Sequence, residues 1–200
     1  MGHKSLEECL DFYDCQQEMS FENFLKTVRG RLVYMSQFLP HVDAKFVGAS
    51  NPVAEEFWRF MEESKLTGER VDQLEQAEWS FGINLDGTGS GDRIYWQMLM
   101  GQVAFMQESP WVSWLSGPNK TLRPYEHYVP LRMDLADMGD KLAWLRQHPE
   151  EAERIATAGR LWAAEFLSYD WVLYYLDQML RGYAEYFSEP LDVEQASSFD

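Results

Sequence analysis

One stretch in the middle of the chain limits its fold more than any other. Trp79-Ser80-Phe81-Gly82-Ile83-Asn84-Leu85 alternates with a period of two and reads as a strand. It runs into the turn-rich Asp86-Gly87-Thr88-Gly89-Ser90-Gly91-Asp92, and an apolar helix follows at once, from Arg93 to Met100. Gly101 stops that helix before a second short strand, Gln102-Val103-Ala104-Phe105-Met106, and His127-Tyr128-Val129-Pro130-Leu131 reads as a third. Strand, loop, helix and strand in that order call for an α/β fold with parallel strands joined by crossovers. Ligands of such sheets bind beyond the carboxyl ends of the strands, where the Asp86–Asp92 loop falls.

The flanks read as helices. Loose helical spacing over 5–28 implies two short helices, a further helix runs from Gly30 to Phe38, and Pro52 opens one through Glu63. Ala44 to Ala49 reads as a short strand, and the polar Gly68–Glu78 stretch as a loop or an exposed helix. After the third strand the pattern is helical over 137–147, 149–167 and 169–187, with an acidic flexible tail at 188–200. The division expected is an N-terminal helical segment, 1–20, one ligand-binding α/β domain, 21–187, and the tail.

Composition narrows the partners. With 17 Lys and Arg against 33 Asp and Glu, the formal net charge is −16. A phosphate backbone needs a basic footprint, so nucleic acid is excluded as a partner, and anionic membrane surfaces are disfavoured. Nowhere do about 18 apolar residues run together, so no membrane span is expected. The acidic start lacks a signal-peptide pattern, the Asn119 sequon reads as chance, and a cytoplasmic location is the default expectation. Cys9 and Cys15 are too few for a disulfide framework and have no zinc-ligand spacing, so no metal site is expected.

The glycine loop has a physical reading of its own. Gly87, Gly89 and Gly91 let the backbone approach a ligand, successive N–H groups make an anion-binding concavity, and Arg93 adds a bidentate phosphate donor. The alternative is a plain turn with a helix cap. Asp86 and Asp92 would repel a bare phosphate unless they face a sugar or cap the helix. The spacing matches neither the P-loop nor the dinucleotide fingerprint. Glu108 follows the second strand as a ribose ligand or a helix cap. His127 reads more readily as a hydrogen-bonded structural residue than a catalytic one. Trp111, Trp114 and Tyr125 stack on a ligand or, as the plainer reading, plug the core, and the late stripe from Trp162 to Tyr183 reads as helix-packing material.

Several runs, in order, resemble glycosyltransferase family 90. Asn84-Leu85-Asp86-Gly87, closed by Arg93, is similar to its N-x-D-G strand end and small-residue loop. Pro124-Tyr125-Glu126-His127-Tyr128-Val129-Pro130-Leu131 with Asp134-Leu135-Ala136-Asp137 resembles its P-W-x-H-Y-I/V-P-V-x-x-D-L-S-D run. Ala152, Ile155, Ala156, Gly159 and Phe166 resemble positions of a family helix, and Tyr174-Tyr175 a late Tyr-Tyr pair. Phe21-Glu22 to Arg29-Gly30-Arg31 is similar to W-E … R-G-R, and Pro40 to Phe46 to P-x-L-x-D-A-x-F. The likeness covers about 21 to 186.

The resemblance implies the Rossmann-like C-terminal half of a GT-B enzyme, ending in several helices, which binds a nucleotide sugar. A UDP-sugar would be the co-substrate, with no further cofactor, and a hydroxyl on a glycan or protein the acceptor, as in polysaccharide biosynthesis. It places Thr88, Gly89, Ser90, Gly91 and Asp92 along the donor, Arg93 on the diphosphate, and Arg29 or Arg31 as a second cation. The family's base is an Asp in the preceding half. Asp11 and Asp14 lie in that direction without its motif, so the catalytic residue stays unassigned and the acceptor domain is expected to be lost or supplied elsewhere. The alternative is a non-catalytic remnant or partner subunit that keeps the fold, with or without nucleotide binding.

Overall fold

A computed structural model of the chain describes residues 21–47, 55–87, 91–111 and 122–188. The expected helix over 1–20, both cysteines, Thr88, Gly89, Ser90, Trp114 and the tail from 189 onward lie outside the described residues. In chain order come α1 (Phe21–Lys26), α2 (Val28–Ser36), α3 (Glu55–Glu63), α4 (Gln73–Gln76) and β1 (Phe81–Asn84). Then follow α5 (Arg93–Leu99), β2 (Val103–Gln107), β3 (Val129–Leu131), α6 (Met138–Gln147), α7 (Pro149–Phe166) and α8 (Tyr169–Ser188).

The three strands form one parallel sheet in the order β1-β2-β3, as the strand–helix–strand pattern requires. Phe81 lies opposite Val103, and Phe105 opposite Val129. β2 is central and buried along nearly its whole length, the signature of a parallel strand covered on both faces. Its side chains divide by parity. Val103 and Phe105 pack with Leu32 of α2 and with Met138, Leu142 and Leu145 of α6, while Ala104 packs against Ile94 and Met98 of α5 and Trp162 of α7. A third cluster, Phe24, Val33, Met61 and Leu66, joins α1, α2 and α3.

One expectation needs correction and one holds. Over 44–47, the described part of the expected Ala44–Ala49 strand, there is no sheet strand: Phe46 makes a single parallel bridge to Thr67, with bonds of 2.9 Å to Leu66 and Gly68, and no further strand lies beside it among the described residues. Gly68–Glu78 is mostly irregular, with α4 as one exposed turn capped by the Asp72 carboxylate on the Leu74 amide. Elsewhere the boundaries shift by one to three residues, as helix and strand ends commonly do.

The break between α1 and α2 fixes the position of two arginines. Thr27 caps α2, accepting from the Gly30 amide at 3.0 Å while its hydroxyl donates to the Phe24 carbonyl at 2.8 Å. A Cβ on Gly30 would collide with that carbonyl, so the position tolerates no side chain. Glycine there lets α1 fold tightly onto α2 and sets Arg29 and Arg31 on either side of the contact.

Candidate functional site

The carboxyl ends of β1, β2 and β3 lead to Leu85–Gly87, Glu108 and Arg132–Asp137, and α2 brings its two arginines to the first and third of these. Arg29 Nε donates to the Asp86 carbonyl at 3.1 Å, and Arg31 Nη1 donates to the Asp134 carbonyl at 3.2 Å. These contacts span 57 and 103 residues of sequence, so two loops far apart in the chain are tied to one short helix. Arg29 is exposed, and its two Nη groups have no partner among the described residues.

Beneath the loop, three buried polar side chains do the structural work. Asn84 Oδ1 accepts from the Ile94 amide at 3.2 Å, and its Nδ2 donates to the Gly91 carbonyl at 3.4 Å. The start of α5 is therefore capped from the end of β1, ten residues earlier. Asp92 occupies the cap position but makes no side-chain cap bond, which removes the helix-cap reading for that residue. Asp86 turns inward, its Oδ1 accepting from the Gly91 amide at 3.1 Å. That disposes of the charge conflict anticipated for Asp86, because its carboxylate staples the loop from within. Gln107 Oε1 accepts from the Asp86 amide at 3.4 Å, tying β2 to the same turn. A Cβ on Gly91 would lie 2.6 Å from Asn84 Oδ1 and from the Leu85 carbonyl, so the third loop glycine is required by close approach.

Two atoms of this network lack partners among the described residues: Asp86 Oδ2 and Gln107 Nε2, one acceptor and one donor, both buried. A buried group left unpaired costs about 1–3 kcal/mol, so such a pair marks where a polar ligand group or a water completes the structure. Arg93 is exposed in the first turn of α5, with no hydrogen bond or ion pair to any described residue. Glu108 is exposed just past β2, where no described helix follows for it to cap, and its amide donates to the Leu131 carbonyl at 2.7 Å. Burial pushes the Tyr128 phenol up, and the charge of Glu108 adds to the shift.

At the third strand end, Asp134 accepts from the Ala136 amide at 3.1 Å and pairs with Arg132 at 2.6 Å, and these contacts hold its carboxyl below the usual range. Burial works to raise Asp137. Lys141 at 2.6 Å and the Arg132 amide outweigh it, and Asp137 ends lowered.

His127 plays a structural part. Its Nδ1 accepts from the Arg123 amide at 2.9 Å, which leaves the ring proton on Nε2, 3.5 Å from Glu126. Burial lowers its pKa, so the buried ring is held neutral. Tyr125 and Trp111 are about half exposed and do not plug the core. Tyr125 adopts a positive φ of 58° and stands 5.5 Å beneath the Lys141 ammonium.

Asn84 entered the sequence reading only as part of the N-x-D-G strand end, and its capping role, like Gln107 altogether, was not foreseen. Asn84 had a signal, an amide residue closing an apolar strand; Gln107 lay one residue past the expected end of its own.

A cavity of about 620 Å³ opens at the opposite edge of the sheet, between the starts of β1 and β2 and helices α6 and α7. It holds none of the residues expected to bind a ligand. The described residues include no group of three or more His, Cys, Asp or Glu side chains placed to hold a metal ion, and no described helix is long and apolar enough to cross a membrane.

Known proteins give this geometry a context. Residues 23–198 match the sequence model of Glycosyl transferase family 90. Protein O-glucosyltransferase 3 of Rattus norvegicus is 34% identical over 108 residues, 54% of this chain and 21% of that protein. Protein O-glucosyltransferase 2 of Danio rerio is 31% identical over 132 residues, 64% of this chain and 26% of that protein. Protein O-glucosyltransferase 1 of Rattus norvegicus is 23% identical over 163 residues, 80% of this chain and 39% of that protein. The chain thus spans well under half the length of these relatives.

Proposed function

Because the chain belongs to glycosyl transferase family 90, we propose that its sheet is the Rossmann-like donor-binding half of a GT-B glycosyltransferase and holds a UDP-sugar at the carboxyl edge. The sugar passes to a hydroxyl on a protein or glycan, in keeping with the names of the O-glucosyltransferase relatives. One observation carries the reading. Arg29 is anchored through Nε on the carbonyl of Asp86, at the root of the glycine loop, with its Nη groups uncommitted.

The chemistry asks for such a group. Departure of a nucleoside diphosphate builds negative charge on the β-phosphate, and fixed guanidinium groups lower that barrier without reorganising. Arg93, at the far end of the same loop, is the second cation. Arg31 is turned to the third strand end by its bond to Asp134, so Arg29 takes the diphosphate role that was open between the two. Asp86 Oδ2 and Gln107 Nε2 supply an unpaired acceptor and donor beneath the loop for the polar groups of the nucleotide sugar. Thr88, Gly89 and Ser90 complete the donor contacts, with Gly91 and Asp92 closing the loop and Glu108 beside the ribose.

A second reading, donor binding without transfer by this chain alone, has one observation in its favour. Asp86 is committed to Gly91, and Asp134 to Arg132 and Ala136, which leaves Asp92 and Glu108 as the uncommitted carboxylates at this edge among the described residues. Calorimetric titration of UDP and UDP-glucose into the purified chain and into Arg93→Ala tests the donor site. Saturable binding weakened by the substitution supports it, and transfer to a hydroxyl acceptor in the same preparation separates enzyme from binding subunit. No heat from either nucleotide would overturn both readings.

A further inference from the structure

Small residues open the cavity at the amino edge of the sheet. Along α7, Pro149, Ala152, Glu153, Ala156, Thr157 and Arg160 fall at i, i+3, i+4, i+7, i+8 and i+11, a single helix face, and all of them line it. With only methyl groups at Ala152 and Ala156, α7 leaves room beside the starts of β1 and β2. Across from them Gly101 turns the chain from α5 into β2 with a φ of 79°, and a Cβ there would meet only the Arg160 Cδ, at 3.8 Å. The resulting volume of about 620 Å³ is that of a ligand pocket.

The floor and the mouth of this cavity differ in chemistry. Phe81, Val103 and Leu145 form an apolar floor, the last two fully buried. Among the described residues, no buried side-chain atom that lacks a partner belongs to the lining, so the floor has no polar group left to satisfy. At the mouth stand Arg146, from the last turn of α6, and Arg160 of α7. Both are exposed, and neither makes a hydrogen bond or ion pair with a described residue. Arg123, Arg132, Arg154 and Arg181, by contrast, each hold a carboxylate. Glu153 is the one carboxylate of the lining, and it pairs with neither arginine. Two guanidinium groups against one carboxylate leave a single local positive charge, on a chain whose formal net charge is −16.

We propose that the amino-edge cavity binds an amphipathic monoanion, an apolar chain or ring ending in one carboxylate, with the carboxylate on Arg146 and Arg160 and the body on the floor of Phe81, Val103 and Leu145. The charge of the whole chain selects for a small ligand. An acidic macromolecule is repelled through all its charges at once, whereas a single carboxylate meets a field screened within about 10 Å at 0.1 M salt. The five residues of β2 put about 13 Å between this cavity and the carboxyl edge, so its ligand and the nucleotide sugar bind without overlap.

Calorimetric titration of decanoate and decanol into the full chain, both at submicellar concentration, tests the site. Decanoate should saturate one site and bind about 10- to 100-fold more tightly than decanol, the worth of a charge-assisted hydrogen bond. Arg146→Ala and Arg160→Ala should each weaken decanoate, and together they should bring it level with decanol. Thr157→Trp, which fills the mouth from an exposed position, should abolish binding of both. All three side chains are exposed, so the circular dichroism should not change, and UDP titration of the same samples reads the donor site independently. Decyl phosphate should bind no more tightly than decanoate; tighter binding would overturn the single-charge assignment. The absence of decanoate binding would overturn the proposal. So would decanol binding as tightly as decanoate, or decanoate binding that survives the arginine substitutions and Thr157→Trp, which would put the ligand on another apolar surface.

Discussion

The two edges of the sheet are built on different principles. At the carboxyl edge, loops from three strands converge with two arginines of α2 and the exposed Arg93, and two buried polar atoms lack partners. At the amino edge a cavity of about 620 Å³ has Phe81, Val103, Leu145 and Ala152 among its lining, with Arg146 and Arg160 beside them. That cavity offers room, but none of the residues expected to bind a ligand lines it. The carboxyl edge has the groups whose chemistry is unfinished: an acceptor without a donor, a donor without an acceptor, and guanidinium groups aimed at no carboxylate. Those features, rather than room, are what a charged and polyhydroxylated donor needs.

The contrast can be broken most sharply by moving charge. Arg29→Ala and Arg93→Ala should each weaken UDP-glucose binding about 10- to 100-fold, the worth of a charge-assisted hydrogen bond. Arg146→Ala and Arg160→Ala should leave it unchanged, and calorimetry on the four variants decides. The next largest effect is on the loop's support. Asn84→Ala strips the cap from Ile94 and the bond to Gly91, and should cost about 1–3 kcal/mol by urea denaturation. Asn84→Asp keeps the acceptor and should cost less.

How much of this is legible in the sequence alone depends on which interactions are local. The β1–loop–α5–β2 unit was legible because period-two alternation, a glycine run and a helix pattern lie side by side in sequence. Arg93 was singled out by its place after the glycine loop, and Arg29 and Arg31 through a family likeness, but the choice between Arg29 and Arg31 rested on contacts across 57 and 103 residues. No local pattern encodes such distances. Asn84 as the cap of α5 was hidden because Asp92 holds the position where a cap is normally sought. Phe46 reads as a strand residue by propensity, yet a strand needs a neighbour, and here it finds one bridge. The stripe on α8 has a helical period whether or not anything covers it, so its spacing reveals its face and not its exposure.

A smaller effect sharpens the account of His127. Burial lowers its pKa in the folded chain, so the unfolded chain binds the proton more tightly and stability must fall as pH drops below about 6.5. The loss should be seen as a falling melting temperature between pH 7 and 5, and His127→Gln should fall less steeply over that range. Smallest of all, Lys141→Met should shift stability by no more than about 1 kcal/mol, since the bridge to Asp137 is partly exposed. With Lys141 gone, Asp137 should titrate higher, which NMR titration of the carboxyl would register.

Amide hydrogen exchange with and without saturating UDP-glucose tests the central claim most directly, because it reports which edge the donor covers. The account predicts slowed exchange in peptides spanning Asn84 to Arg93 and Gln107 to Glu108, and no change around Leu99 to Gly101 or Leu145 to Ala156. Protection at Leu99–Gly101 and Leu145–Ala156, with the glycine loop exchanging as before, would place the donor in the cavity at the amino edge and contradict it.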